Sequence, residues 1–278
     1  MVLLEQNFKR KILTTHMDLS FLTTLVALGL GGGFLSGLLG LGGAIFMIPL
    51  LLYVPPFLGV GHLDMKQVAA ISMVQVLSAS LSGLIVHHKN RFVSKSLLLY
   101  MGVCNAIGNL AGSLFSKNTK STFLLAIFAA MAIIAAVAMF IPKREQGENI
   151  SPDELQYNKP LAAFLSLLIG SFGGMVGAPG AFIYIPAMIY LLNIPTRIVI
   201  GSTLGIVFLG AIMGTIGKMA TGQIIWPYAI ALVIGTIPGA QIGGKASKKV
   251  NTKYLRLAIA VIIAVTGLRM WYQIMTGR

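Results

Sequence analysis

The sequence predicts an all-α polytopic membrane protein of two homologous repeats. Each repeat is a Gly-rich broken or re-entrant helical hairpin followed by three helices, giving 8–10 membrane segments in total. Three observations predict this. First, 56% of the 278 residues are apolar, only 10% are charged, and mean hydropathy is +0.86. A soluble domain carries about 25% charged residues, so a soluble enzyme is excluded. Second, uncharged runs cover 19–63, 67–88, 96–116, 121–142, 160–196, 198–217, 219–244 and 257–268. About 20 apolar residues cross the hydrocarbon core as a helix. Third, the order of one long run followed by three short ones occurs twice.

Residues 1–18 read as a polar leader outside the bilayer. Lys9, Arg10 and Lys11 are followed by Thr14, Thr15, His16 and Asp18. The apolar stretch that follows is too long for a secretory signal and lacks a small-residue cleavage site. Residues 19–142 form the first membrane repeat, with a hairpin over 19–54 and helices over 67–88, 96–116 and 121–142. A hydrophilic linker, 143–159, holds four of the seven acids: Glu145, Glu148, Asp153 and Glu154. The second repeat, 160–278, has its hairpin over 160–192 and helices over 197–218, 224–244 and 253–275. Arg256, Arg269, Trp271 and Tyr272 flank the last of these as interface anchors.

Residue matches support the duplication. Gly33, Gly37, Gly40, Gly43, Ala44 and Pro49 recur 137 positions later as Gly170, Gly174, Gly177, Gly180, Ala181 and Pro186. Further on the offset is 130 or 131, pairing Ser72 with Ser202, Gly108 with Gly239 and Gly112 with Gly243. If the second limb of each hairpin crosses fully, each half has five spans and the repeats are inverted. If it only re-enters, each half has four and they are parallel. Loop charge leaves both open, as it does the orientation of the N-terminus.

The net charge of +14 would suggest nucleic acid for a soluble chain. Here it places Lys and Arg at lipid headgroups, so the bilayer is the expected partner and nucleic acid is not. Cys104 stands alone, which precludes a disulfide or a Cys metal site within the chain. The expected cofactors are none, and the expected metal sites none.

The hairpins read GGGFLSGLLGLGGAIFMIPLLL from Gly31 and GSFGGMVGAPGAFIYIPAMIYLL from Gly170. Interior Gly costs a helix about 1 kcal/mol and Pro about 3, so this density breaks it. A break at membrane depth survives only where protein or a water-filled cavity satisfies the backbone. A helix restarting after Gly43 or Gly180 turns free N–H groups and its positive dipole end toward the break, a setting for an anion. Gly40, Gly42, Gly43, Ala44, Gly177, Pro179, Gly180 and Ala181 are the candidate backbone site. The competing reading is close helix packing of the GxxxG type, to which Gly33, Gly37 and the Ser36–Gly40 pair are assigned.

With its hairpin ending in Pro-Leu-Leu, its second copy and the polar helices that follow, the chain resembles the sulfite exporter TauE/SafE family of membrane permeases over about residues 20–275. The second copy departs at Pro179, where the first has Gly42, which should stiffen the second break. The resemblance implies a multi-pass protein of a prokaryotic plasma membrane that transports small anions, often sulfur-containing ones such as sulfite or organosulfonates.

The residues argue for an anion separately. None of the seven acids (Glu5, Asp18, Asp64 and the four in the linker) falls in an expected span, which disfavours a carboxylate-built cation site. Ser72, Gln75, Ser78 and Ser82 share one helical face, and Asn105 and Asn109 another. Ser202, Thr203, Thr236 and Gln241 add polar groups in the second repeat. Hydrogen bonding between helices is the ordinary use of such serines and threonines; the amides of Gln75, Asn105 and Asn109 offer donors to an anion. His87 and His88, with Lys89 and Arg91, close one helix, and Lys218 closes its counterpart. The histidines are candidates for a proton or anion relay, against a plain role at a helix C-terminus. Lys66 and Arg197 begin matching helices, either drawing anions in or anchoring the interface.

The expected function is a secondary transporter of small anions working by alternating access between the repeats, with coupling to protons as one option. A passive anion channel with the same lining is the first alternative. An intramembrane enzyme is the second, but His16, His62, His87 and His88 form no HExxH pattern and the spans carry no carboxylate. No enzyme activity is therefore expected. Substrate, direction, coupling ion and oligomeric state are not legible.

Overall fold

A computed structural model describes residues 19–39, 43–87, 93–140, 155–246, 267 and 269–271. Among them are α1 (Leu19–Leu39), α2 (Ala44–Phe57), α3 (Met65–His87), α4 (Lys95–Ser116), α5 (Ser121–Phe140), α6 (Lys159–Val176), α7 (Ala181–Pro186), α8 (Thr196–Ala220) and α9 (Trp226–Ala246). Seven are long and apolar enough to cross a membrane, and the two hairpin second limbs are shorter apolar helices. The leader, most of the linker and nearly all of the expected helix 253–275 lie outside the described residues.

Local chemistry sets the ends. Asp64 and Gln67 cap α3 reciprocally: Gln67 N donates to Asp64 Oδ1 at 2.7 Å and Asp64 N to Gln67 Oε1 at 3.0 Å. Asp64, the one acid among the described residues, is thereby committed to a helix end. Asn158 caps α6, accepting from Leu161 N at 3.0 Å, and Pro160 follows where its missing N–H costs nothing. α6 stops at Gly177, left-handed at φ 78°, with Ala178 N donating to Gly173 O at 2.9 Å. Beyond Pro186 the α7 limb widens into a π turn, Ala187–Leu191.

Helix directions follow from the side each glycine turns to a neighbour. A Cβ at Gly29, Gly33 or Gly37 of α1 would meet Leu232, Thr236 or Ala240 of α9, so these helices run parallel. Gly170 and Gly174 of α6 meet Asn105 and Asn109 of α4 in the same way. These are the matching positions of the two halves, at the 137 and 131 offsets. In between, Gly205, Gly210 and Gly217 of α8 meet Leu98, Asn105 and Ser113 of α4, which are also parallel. Gly214 of α8 instead meets Met73 of α3, while Gly83 of α3 meets Leu204 of α8, so α3 and α8 are antiparallel.

The hairpins fold back on themselves. Gly32 is placed against Met47 and Gly43 against Ser36, and the chain after α2 returns to the start of α1, where Gly61 lies over Phe21. Each hairpin therefore ends on the side where it began, and α3, α4 and α5 add three crossings. An odd number of passes turns the second half over, so α6 runs opposite to α1.

The second hairpin is tied internally. Tyr184 Oη donates to Ser166 O at 3.0 Å and lies 2.8 Å from Ser166 Oγ, which itself donates to Met101 O of α4 at 2.6 Å. The first hairpin has Gly29 and Met47 at the corresponding positions. Tyr184→Phe is expected to lower stability by about 1 kcal/mol, the net value of a typical hydrogen bond. A thermal melt of the detergent-solubilised protein indistinguishable from wild type would contradict this.

Candidate functional site

The exterior is apolar, and a set of polar side chains lies within the largely apolar interior. Phe57, Phe115, Phe123, Ile134, Ile230 and Ile234 are exposed, whereas Ser72, Gln75, Asn105, Asn109, Ser202, Thr203 and Lys218 are buried. Water would not tolerate such an exterior over whole helix faces; lipid does.

The α4, α6 and α8 interface holds the asparagine pair. Asn105 Nδ2 donates to Ile206 O at 2.8 Å, and Asn109 Nδ2 to Asn105 Oδ1 at 2.7 Å. Both amides lie where Gly210 has no side chain; a Cβ there would meet both Nδ2 atoms. Asn109 Oδ1 is buried without a partner. So are both polar atoms of Gln75 and the hydroxyls of Ser72, Ser82 and Thr215. An unsatisfied buried polar group costs about 1–3 kcal/mol, and native interiors leave few. Ser72, Gln75 and Ser82 lie on one stripe of α3. Thr215 neighbours Gly214, the α8 residue that meets Met73, so it belongs to the level of Ser72.

Other expected site residues are placed differently. Ser202 Oγ accepts from Ser94 N at 3.1 Å, and Thr203 Oγ1 donates to Val199 O at 2.7 Å. These are the ordinary structural uses. Thr236 Oγ1 donates to Leu232 O at 2.8 Å. Gln241 is exposed, a correction: Gly239, Ala240 and Gly243 face α1, which turns the next residue, Gln241, outward. Lys66 Nζ donates to Lys117 O at 2.9 Å, holding the start of α3 to the end of α4. Gly40, Gly42 and His88 lie outside the described residues, as do the side chains of His87 and Arg197.

At the restarts, Gly43 and Gly180 are left-handed, at φ 78° and 91°. Their carbonyls accept from Phe46 N and Met47 N, and from Ile183 N and Tyr184 N. That leaves the N–H groups of Ala44, Ile45, Ala181 and Phe182 unused by the helices. A Cβ on Gly43 would point at Ser36 and one on Gly180 at Ile169, each within its own hairpin. Small size there serves the fold of the hairpin. Gly177, Ala178, Pro179, Gly180 and Ala181 are all buried, and Gly177 packs on Ala69 of α3.

Sequence reasoning placed Lys218 at a span end, where lysines face headgroups. It is instead fully buried. Its Nζ donates to Ser116 Oγ at 2.6 Å, Met175 O at 3.2 Å and Gln223 Oε1 at 3.2 Å. The available signal was position: α8 runs two residues past Lys218, and another apolar run starts at once. No group of His, Cys, Asp and Glu among the described residues could hold a metal ion.

A helical bundle with seven helices long and apolar enough to cross a membrane and a lipid-compatible exterior defines an integral multi-pass membrane protein. The chain belongs to the sulfite exporter TauE/SafE family, whose model matches residues 25–270. It is similar to the probable membrane transporter protein YunE of Bacillus subtilis, 26% identical over 264 residues, covering 90% of this chain and 97% of the relative. A probable membrane transporter protein of Xylella fastidiosa is 27% identical over 257 residues, 89% of this chain and 95% of its own length. MJ0441 of Methanocaldococcus jannaschii, also a probable membrane transporter protein, is 24% identical over 264 residues, 91% and 96% of the two chains. No solved structure matches. The protein is thus a membrane transporter of the TauE/SafE type.

Proposed function

We propose that the protein is a secondary transporter of small anions, including sulfur-containing ones such as sulfite or organosulfonates, and that it alternates access between two inverted repeats. One observation carries the anion reading: Ser72, Gln75 and Thr215 keep buried polar atoms, donors among them, without partners on α3 and α8. Hydroxyl and amide groups can turn donors toward an anion without a full ion pair, so it can bind and leave. The spans carry no carboxylate with which to hold a cation.

The unused N–H groups at Ala44 and Ile45 add donors at the start of a 14-residue helix. The second restart is α-helical for six residues only, so its dipole is weaker and the site does not depend on it. The matching α1–α9 and α4–α6 interfaces support rocking of one half against the other. The histidine relay rests on sequence alone, and proton coupling with it.

The test is uptake of radiolabelled sulfite, isethionate and acetate into proteoliposomes. Saturable uptake of an anion, with counterflow when the vesicles are preloaded, is expected. Non-saturating flux without counterflow would favour the channel, and no flux of any of the three would remove the anion reading.

A further inference from the structure

Among the described residues, Lys218 has no acidic partner. Three acceptors surround its Nζ, which matches the three N–H groups of an ammonium. All three acceptors are neutral: a hydroxyl, a main-chain carbonyl and a side-chain amide. Among the described residues no acid reaches it, since Asp64 is engaged in the α3 cap. A buried cation with neutral neighbours only is a costly arrangement that an opposite charge would relieve.

Its position gives that cost a direction. Thr215 precedes Lys218 by three residues on the same face of α8. Gly214, next to Thr215, meets Met73 of α3, which is next to Ser72, and Gln75 follows three residues after Ser72. Steps of three or four residues along a helix separate neighbouring side chains by about 5–6 Å. Thr215, Ser72 and Gln75, each with a buried polar atom without a partner, thus lie in order of depth inward from the ammonium. Met175, one of its acceptors, is in the last turn of α6, directly before the second hairpin's turn.

We propose that Lys218 supplies the counter-charge on the anion path. A small anion entering beside the turn of the second hairpin meets the ammonium, replaces one of its neutral acceptors, and passes inward along Thr215, Ser72 and Gln75. Replacement of Met175 O would at the same time free the hairpin from α8, linking anion arrival to hairpin movement. This rests on the anion reading above and assigns its charged group.

The experiment measures initial rates of sulfite uptake against concentration in proteoliposomes of wild type, Lys218→Arg, Lys218→Met and Thr215→Val. Wild type is expected to saturate. Lys218→Met should raise the half-saturating concentration at least about tenfold, the factor equivalent to 1.4 kcal/mol, and Lys218→Arg should restore most of it. A purely structural lysine would change the yield of folded protein and the maximal rate, leaving half-saturation where it was; that result overturns the proposal. Should Lys218→Met fail to insert, the near-isosteric Thr215→Val carries the test: a raised half-saturating concentration supports the path, and an unchanged one overturns it. Wild-type vesicles that take up no sulfite, isethionate or acetate overturn the anion reading itself, and the role of Lys218 with it.

Discussion

Gly174→Val is expected to abolish the folded protein. A Cβ at Gly174 meets main-chain atoms of Asn109, including Cα at 2.8 Å and C at 2.9 Å. Main chain cannot swing aside as a flexible side chain can, so α4 and α6 would have to part. Overpacking a core costs about 1–3 kcal/mol, and more where nothing yields. Parting these helices would also undo the contacts around Gly170, Gly108 and Gly112, which use the same close approach. Gly33→Val meets the main chain of Thr236 on the matching α1–α9 interface and should fail similarly. The control is Gly31→Val: Gly31 is exposed and a Cβ there meets nothing within 4 Å. Monodisperse Gly174→Val protein on size-exclusion chromatography, at wild-type yield, would refute the close-approach account.

Gln75→Leu should have the opposite profile: a protein at least as stable as wild type that transports far more slowly. Gln75 is fully buried and neither polar atom of its side chain has a partner. Exchanging an unsatisfied amide for an apolar group of similar size removes a penalty of about 1–3 kcal/mol. If that amide was retained for the passing anion, uptake should fall at least about tenfold, a change of 1.4 kcal/mol or more. Ser202→Ala should reverse the pattern. It strips the acceptor from Ser94 N, costing about 1 kcal/mol, while transport by the remaining folded protein continues. A thermal melt and an uptake rate on each purified variant decide the matter. Gln75→Leu with wild-type flux would take Gln75 out of the pathway.

The sequence determined the elements. Charges at the ends of apolar runs fixed α3, α4, α5, α8 and α9 to within a few residues, because a charge inside lipid is too costly to misplace. Gly and Pro density fixed where the hairpins turn. The stripe Ser72–Gln75–Ser82 was legible because helical periodicity places these residues on one face whatever the helix packs against.

Tertiary structure decided the rest. Whether the halves point the same way depended on which glycine meets which neighbour, and that is a property of pairs of helices. Ser202 and Gln75 looked alike as buried polar residues; only the placement of Ser94 N beside one of them separated a structural hydroxyl from an amide without a partner. Gln241 fell outside the interior because α9 offers α1 the small residues on either side of it. Lys218 read as an interfacial lysine because one chain cannot report that the ends of α4 and α6 and the Gln223 turn close over it. Propensity and periodicity are local and survive in the sequence. Burial and partnership arise between segments distant in the chain, and only packing reveals them.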